Sequence, residues 1–336
     1  MAGQNRMMAV EYRRYGSPDV LQIVEATRPT PREDEILVRI HATTVTSADC
    51  RLRSMTVPAG FSTLSRIVLG VTRPRKIILG SEFAGTVVAT GSRVSAFEAG
   101  DRVFGLLDTK MGCHAEYCCV PESGKVAKMP ERLSYREAAG LTFGSTTALD
   151  FLRRGKLQPS EKILINGASG SVGIAAIQIA RLMGSEVTAV CGASNARLVK
   201  NLGANHVIDY TCQDFAKSDT SYDVIMDAVG NCDYRRCKLA LNDSGRLLLI
   251  VADLKQMLHA SLVGVIASRR ILAGPAFVRQ SDIEHVAALA GIGSLQPVVD
   301  RVYPLADIRE AHRYVDTGRK RGNVVIELIP DEHDRQ

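Results

Sequence analysis

Ile163-Leu164-Ile165-Asn166-Gly167-Ala168-Ser169-Gly170-Ser171-Val172-Gly173 is the stretch from which the rest of the chain is read. A short aliphatic run predicts a buried strand, the glycines break it, and Val172 to Met183 then carries apolar residues at helical spacing. Glycines at such a turn let an anionic group approach the backbone N–H donors of a helix N-terminus, which is how a pyrophosphate is held. A tight turn with no ligand is the alternative reading of the same residues.

Downstream the pattern repeats. Glu186–Cys191 precedes the helical run Ala196–Gly203, His206–Tyr210 follows, Asp223–Gly230 precedes Asp233–Asn242, and Arg246–Val251 closes the series. Aliphatic strands alternating with amphipathic helices predict a doubly wound parallel sheet covered on both faces. Upstream, Met7–Tyr12, Val20–Ala26, Glu35–Thr43, Ser81–Thr90, Asp101–Gly105, Ala115–Val120 and Lys125–Lys128 are short strand-like runs. Turn residues such as Gly16-Ser17-Pro18-Asp19 and Gly91-Ser92 separate them, so this part is expected to be an all-β, barrel-like unit. Arg51–Ile77 interrupts it with apolar residues but no strand period, and is expected to be a lid or a helical insert. The end of the chain returns to the strand-like pattern of the beginning, with Pro297–Leu305, a helix from Ala306 to Asp316, and the strand Asn323–Ile329. The expected class is α/β, with a discontinuous barrel-like unit (1–129 and 298–336) around a parallel-sheet unit (130–297).

The bulk properties agree with two soluble domains. The length of 336 residues suits two units of about 100–200 residues each. A hydrophobic content of 46% and a charged content of 23% are those of folded proteins rather than disordered chains. No apolar run reaches the roughly 18 residues that a membrane-spanning helix requires. The net charge of +6 suits an anionic cofactor. Nucleic-acid binding is not expected, because the densest basic stretch, Arg66–Lys76, has no aromatic residue to stack on bases and reads as a solvated loop. Eight cysteines without a C-x-x-C spacing, and a polar start (Met1–Arg6) lacking a signal-peptide pattern, lead to the expectation of a cytoplasmic protein.

Which dinucleotide the turn would hold depends on the end of the second strand, where an acid about 20 residues downstream normally binds the adenosine ribose of NAD. Val190-Cys191 is followed by Gly192-Ala193-Ser194-Asn195-Ala196-Arg197, and no carboxylate lies between Glu186 and Asp209. A hydroxyl, an amide, helix-terminal N–H groups and a guanidinium are all donors to a 2′-phosphate, so NADPH is expected over NADH. Ser194 and Asn195 also read as N-caps of the next helix, a role that leaves phosphate contact open.

Taken in order, the motifs resemble those of the medium-chain dehydrogenase/reductase superfamily, and within it the zinc-free quinone oxidoreductase-like branch. They are Tyr15-Gly16-Ser17-Pro18-Asp19-Val20-Leu21, Gly80-Ser81-Glu82-Phe83-Ala84-Gly85, Gly100-Asp101-Arg102-Val103-Phe104-Gly105, Ala115-Glu116-Tyr117, the glycine turn, Leu202-Gly203-Ala204 and Gly318-Arg319-Lys320-Arg321-Gly322-Asn323-Val324-Val325. The resemblance implies a GroES-like domain, a Rossmann domain, an active site between them that takes a small-molecule substrate, and a homodimer paired through the Rossmann sheet edge. It also adds Ala228-Val229-Gly230, Tyr210, Asn323 and Thr147 to the cofactor set of Gly167, Ala168, Ser169, Gly170, Ser171, Val172, Gly173, Gly192, Ser194, Asn195 and Arg197.

Where zinc-containing members of that superfamily place ligands, this chain departs. Thr46-Ser47-Ala48-Asp49 lacks the cysteine, Gly80-Ser81-Glu82 lacks the histidine, and Leu141-Thr142-Phe143-Gly144 offers only apolar or hydroxyl residues. Hydroxyls are poor zinc ligands beside thiolate and imidazole, so no metal is expected. Cys113, His114 and Cys118 read as core residues. Without a metal to acidify an alcohol, reduction of an enone or quinone is the easier chemistry, because the charge left on the substrate spreads into an enolate or hydroquinonate that hydrogen bonds stabilise. Thr46, Ser47, Asp49 and Arg51, with Arg53 nearby, are the candidate catalytic residues. The alternatives are that Ser47 or Asp49 caps a helix, that the arginines only hold the lid, and that water supplies the proton.

The expected activity is NADPH-dependent reduction of a quinone or α,β-unsaturated carbonyl, with hydride passing from nicotinamide C4 to a carbon near Thr46 and Phe143. A zinc-free alcohol dehydrogenase or carbonyl reductase, and a non-catalytic NADPH-binding protein, are the alternatives.

Overall fold

A computed structural model describes residues 5–218, 220–232, 234–266 and 270–330. Parts of the polar start and of the 298–336 tail, with Asp233 and Ala267, lie outside the described residues. Strands β1 (Arg6–Tyr12) and β2 (Leu21–Thr27) form an antiparallel pair. β3 (Glu35–Val45), α1 (Ser47–Ser54), α2 (Ser62–Leu69), β4 (Glu82–Thr90), β5 (Arg102–Leu106), β6 (Tyr117–Pro121) and β7 (Val126–Lys128) follow. Helices α3 (Tyr135–Ala139) and α4 (Thr142–Arg154) lead into β8 (Lys162–Asn166), α5 (Ser171–Leu182), β9 (Glu186–Cys191), α6 (Ala196–Asn201), β10 (His206–Asp209) and β11 (Tyr222–Asp227). After these come α7 (Tyr234–Ala240), β12 (Leu241–Leu249), α8 (Leu254–Ile266), β13 (Arg270–Ala273), α9 (Gln280–Gly291), β14 (Val299–Pro304), α10 (Ile308–Asp316) and β15 (Asn323–Glu327).

The parallel sheet runs in the order β10-β9-β8-β11-β12-β13. This is the doubly wound order, with its reversal point between β8 and β11. Continuous aliphatic strands are needed because both faces are covered. Ile163 and Ile165 of β8 pack with Leu149, Ile174 and Ile177 on one side, while Leu164 packs with Ile225, Cys237 and Leu247 on the other. The second large sheet has the order β14-β15-β3-β4-β5-β7, with β6 also paired to β3. Its topology returns the end of the chain to the beginning: β15 pairs antiparallel with β3, Val325 opposite Thr44. Ile308, Ala311 and Val315 of α10 are buried with Val10, Leu21, Leu79 and Ile326. The fold is the expected α/β combination of a GroES-like mixed sheet and a Rossmann sheet. No helix among the described residues is long and apolar enough to cross a membrane.

The strand and helix series of the parallel-sheet unit does not close at Val251 as expected but continues through α8, β13 and α9, and three other elements also differ from the sequence expectation. Helix α4 reads TFGSTTALDFLRR, whose glycine, serine and threonines hide its period. Packing decides instead, since Ala148, Leu149, Phe151 and Leu152 are buried, and Gly144 lets α4 lie directly on α5. A Cβ there would stand 2.7 Å from the Ser171 carbonyl oxygen. Strand β12 starts at Leu241 rather than Arg246, taking two residues assigned to the preceding helix. Finally, α3 leans on the mixed sheet: the Tyr135 hydroxyl lies 2.8 Å from Thr86 Oγ1, and its ring stacks on His41 at 4.0 Å. Arg51–Ile77 is helical in part, holding the end of α1 and all of α2.

Candidate active site

The glycine turn after β8 stands at the reversal point of the parallel sheet, at the carboxyl ends of its strands, where such sheets bind ligands. Its three glycines have different reasons to be there. Gly167 has φ +80, and a Cβ on it would come within 2.6 Å of Val229 Cγ2. Gly173 packs α5 on the turn itself, because a Cβ would lie 2.3 Å from the Gly167 carbonyl oxygen. Gly170, with φ −80, needs neither: its Cβ would meet only the Gly167 oxygen, at an ordinary 3.5 Å. What its missing side chain leaves is open approach to the first turn of α5, a cradle for an anion. Gly170→Ala should therefore fold with an unchanged melting temperature yet weaken dinucleotide binding by about tenfold or more, the loss of one charge-assisted hydrogen bond. Calorimetric titration checks the second half and thermal unfolding of the ligand-free protein the first.

The loop after β11 is wound on a buried carboxylate. Asp227 accepts from the N–H groups of Val229 (3.0 Å), Gly230 (3.2 Å) and Cys232 (3.0 Å), and Asn166 Nδ2 donates to it at 2.9 Å. Ala228, Val229 and Gly230 are thus fixed beside the glycine turn by two polar residues that end aliphatic strands. Sequence reasoning quoted both without giving them a role, although a polar residue closing such a strand was the available signal.

At the end of β9, Gly192 lies beside the Tyr210 ring, a Cβ on it 3.6 Å from the hydroxyl. Ser194 and Arg197 are exposed. Asn195 occupies the N-cap position of α6 without making a side-chain cap bond. Its Nδ2 instead donates to Ser169 Oγ at 3.2 Å, tying the two loops together, and its Oδ1 is buried without a partner among the described residues. A buried amide oxygen without a donor beside the glycine turn is what a ribose hydroxyl would satisfy. The fold also brings in an acid that linear reading passes over. β10 runs parallel to β9 with Asp209 opposite Cys191, and Asp209 accepts from Thr211 N (3.0 Å) and Oγ1 (2.8 Å). Those bonds, with one from the Ala193 N–H, hold its carboxyl below the usual range, so its charge is already matched by donors.

The candidate catalytic residues lie on and beside α1. Thr46 is its N-cap: Asp49 N donates to Thr46 Oγ1 (3.2 Å), and Thr46 N and Oγ1 both donate to Asp49 Oδ2 (2.8 and 2.5 Å). Asp49 Oδ1 takes the Gly80 N–H at 3.0 Å, so both oxygens of this fully buried carboxylate are engaged. Among the described residues, Ser47 in the first turn of α1 is exposed with its hydroxyl unengaged, and Arg51 is half-buried without an ion pair. Arg53 is not available to a substrate. It is 2% exposed and bonds Gly16 O (3.1 Å), His312 Nδ1 (3.0 Å) and Asp316 Oδ2 (2.7 Å), joining α1 to α10.

Of two residues that sequence reasoning quoted but left without a role, Glu82 joins the halves and Lys320 braces the loop that meets the glycine turn. Glu82, 1% exposed, accepts from Thr44 Oγ1 (2.5 Å), Thr142 Oγ1 (2.7 Å) and Phe143 N (2.6 Å), linking β3, β4 and the first turn of α4. Burial raises its pKa above the ordinary glutamate value although all three bonds pull the other way. Lys320 lies just before Gly322, whose N–H donates to Ser169 O of the glycine turn at 2.9 Å. Lys320 Nζ donates to Gly322 O at 2.6 Å, and desolvation lowers its pKa from 10.5 to about 8. Because the folded pKa is the lower one, the unfolded chain holds the extra proton between those values, and stability should rise as pH goes from about 8 to 10.5. Lys320→Met should remove that rise in denaturant midpoints measured across the interval. Asn323 turns its Nδ2 to Val298 O at 3.2 Å against Gly140, and Thr147 is buried in α4.

Cys113, His114 and Cys118 are buried, and His114 Nε2 is 2.9 Å from Thr44 O. No group of three or more His, Cys, Asp or Glu suited to a metal ion occurs among the described residues.

Residues 32–131 match the family described as alcohol dehydrogenase GroES-like domain, and residues 202–326 the family described as zinc-binding dehydrogenase. A chloroplastic quinone-oxidoreductase homolog of Spinacia oleracea is 31% identical over 336 residues, covering 96% of this chain and 98% of its own. A 2-methylene-furan-3-one reductase of Solanum lycopersicum is 30% identical over 97% of this chain and 80% of its own. The quinone oxidoreductase structure from Coxiella burnetii superposes with a TM-score of 0.84 at 26% identity, covering 96% of this chain and 99% of that one. With these similarities and both sheets in place, the chain belongs to the medium-chain dehydrogenase/reductase superfamily. Within it, the chain falls in the quinone oxidoreductase-like branch, which makes it an oxidoreductase and implies a nicotinamide cofactor. The open Gly170 cradle and the orphaned Asn195 oxygen fit such a group.

Proposed function

We propose that the protein is an NADPH-dependent, zinc-independent reductase of quinones or α,β-unsaturated carbonyls. The observation that carries this reading is the state of the hydroxyls standing where zinc-containing members have ligands. Thr46 is bonded to Asp49 and Thr142 to Glu82, so each is committed to the scaffold instead of presenting a soft donor to a metal. Relatives named for a quinone and for 2-methylene-furan-3-one support the substrate class.

Bound in the glycine cradle, the nicotinamide cofactor supplies a hydride. The chain's own part is to hold and polarise the acceptor. Ser47 offers an unengaged hydroxyl at the N-terminal end of α1, where free N–H groups favour negative charge, and Arg51 adds a cation one turn further on that no described carboxylate pairs. Both suit the oxygen of an enolate or hydroquinonate. Thr46 and Asp49 act one step back, fixing the start of that helix against Gly80. For the cofactor, Gly167 to Gly173, Ala228 to Gly230, Gly192, Ser194, Asn195, Arg197, Tyr210, Thr147 and Asn323 form the proposed set.

In the same reading, 1–129 with 298–336 is the substrate unit and 130–297 the cofactor unit. Two copies pair through β13, which ends the parallel sheet with only β12 beside it among the described residues. Eight free cysteines support a reducing, cytoplasmic setting.

NADPH oxidation measured against a panel of quinones, enones and simple aldehydes tests the function. Turnover confined to the first two classes is expected, while tight NADPH binding with no turnover on any acceptor would select the non-catalytic alternative. Purified protein should hold no stoichiometric zinc, and prolonged chelation should leave the rate unchanged. Zinc recovered at one ion per chain with chelator-sensitive turnover would reject the zinc-independent half.

A further inference from the structure

The chain carries no acidic residue between Asp49 and Glu82, while Arg51, Arg53, Arg66, Arg73, Arg75 and Lys76 all fall within that stretch. Arg66, Arg73, Arg75 and Lys76 are exposed, and none of the four is ion-paired among the described residues. Among these cations stands α2, a two-turn helix that buries none of its residues fully. Leu64, Ile67 and Val68 on it, and Val71 just past its end, are each between 56% and 60% exposed. A helix this short gains too little from its own hydrogen bonds to persist in water without a buried face. Its ties to the body are at its ends, where the Tyr15 hydroxyl donates to Gly70 O at 3.0 Å and Gly60 abuts Leu254 at the start of α8. Leu254 follows the carboxyl end of β12, so the helix hangs beside the mouth of the site, and Leu258 extends the apolar surface at 58% exposure.

We propose that α2 and the basic stretch after it dock the protein on an anionic lipid surface, with Leu64, Ile67, Val68 and Val71 entering the headgroup boundary and Arg73, Arg75 and Lys76 over the lipid phosphates. Apolar side chains flanked by cations, with no acid nearby in sequence, are what an amphipathic surface helix presents to such a membrane. A second copy of the chain suits this face poorly. A two-fold contact sets a patch against itself, and this one would oppose cations with cations. The proposal deepens the reductase reading and rests on it for one consequence: the site opens toward the phase in which a lipid-soluble quinone or enone is dissolved.

Co-sedimentation with phosphatidylcholine vesicles, with and without phosphatidylserine, tests it. The protein should partition onto the serine-containing vesicles, not onto pure phosphatidylcholine, and raised salt should release it. Each cation near such a surface contributes about fivefold, so Arg73→Gln, Arg75→Gln and Lys76→Gln together should weaken partition by about a hundredfold. Ile67→Asp with Val68→Asp should abolish it. Equal binding to both vesicle types, no binding to either, or no effect of the variants would overturn the proposal. So would a fall in oligomeric state caused by Ile67→Asp with Val68→Asp, which would assign the face to a second copy.

The triple glutamine variant should also lose turnover on a long-chain quinone dissolved in vesicles while keeping turnover on its short-chain analogue in buffer. Equal loss on both would count against docking. If neither quinone is reduced, the reductase reading fails, and vesicle partition by itself still upholds the docking surface.

Discussion

Replacing Arg197 by alanine should weaken NADPH binding by one to two powers of ten and leave NADH binding nearly unchanged. The 2′-phosphate brings close to two negative charges, and a charge-assisted hydrogen bond contributes about 1.5–3 kcal/mol, or about 10- to 100-fold in affinity. Arg197 lies in the first turn of α6, is exposed, and has no carboxylate partner among the described residues, so its guanidinium is free to meet the phosphate. The neighbouring acid, Asp209, is bonded to Thr211. Ser194→Glu should go further and reverse the preference, since a carboxylate there repels the phosphate and offers a free ribose hydroxyl an acceptor. Dissociation constants for both cofactors at one ionic strength decide this. If Arg197→Ala weakens NADPH and NADH by the same factor, the guanidinium does not read the 2′-phosphate.

The largest effect on stability is expected at Glu82. Glu82→Ala removes one carboxylate and leaves two hydroxyls and the Phe143 N–H without their acceptor in the interior. At about 1–3 kcal/mol for each of the three orphaned donors, the loss is on the order of 3–9 kcal/mol, a large part of the roughly 5–15 kcal/mol that holds a typical protein folded. A melting temperature lower by on the order of 10 °C should follow. Glu82→Gln should recover most of it, because its carbonyl serves Thr142 and Phe143 while the Thr44 hydroxyl turns to accept from the new amide. Equal destabilisation by the two substitutions would mean that the negative charge at the start of α4, and not the hydrogen bonds, holds the two halves together.

The parallel sheet was legible because its strands are aliphatic on both faces and its helices keep their period, so β8 to β12 and the glycine turn stand out in the linear text. Helix α4 was hidden for the opposite reason. Gly144, Ser145, Thr146 and Thr147 weaken its local preference, and only the approach to Ser171 explains the glycine among them. The strand, glycine turn and helix from Lys162 to Leu182 could be read because they form a compact local pattern. The bonding around α1 could not, since what Thr46, Asp49 and Arg53 touch depends on partners far along the chain at Gly80, His312 and Asp316. Arg53, read in the sequence as a neighbour of the candidate catalytic residues or a holder of the lid, is a buried strut. Asp209 likewise becomes a neighbour of Cys191 only once β10 lies beside β9.

The most direct single measurement is kcat/KM for one quinone acceptor with NADPH and with NADH, on metal-free protein in the presence of a strong chelator. NADPH-dependent, zinc-independent reduction predicts full turnover under those conditions and a preference for NADPH of at least about tenfold, the worth of one charge-assisted contact to the 2′-phosphate. Loss of turnover that zinc restores, or equal or better rates with NADH, would contradict it.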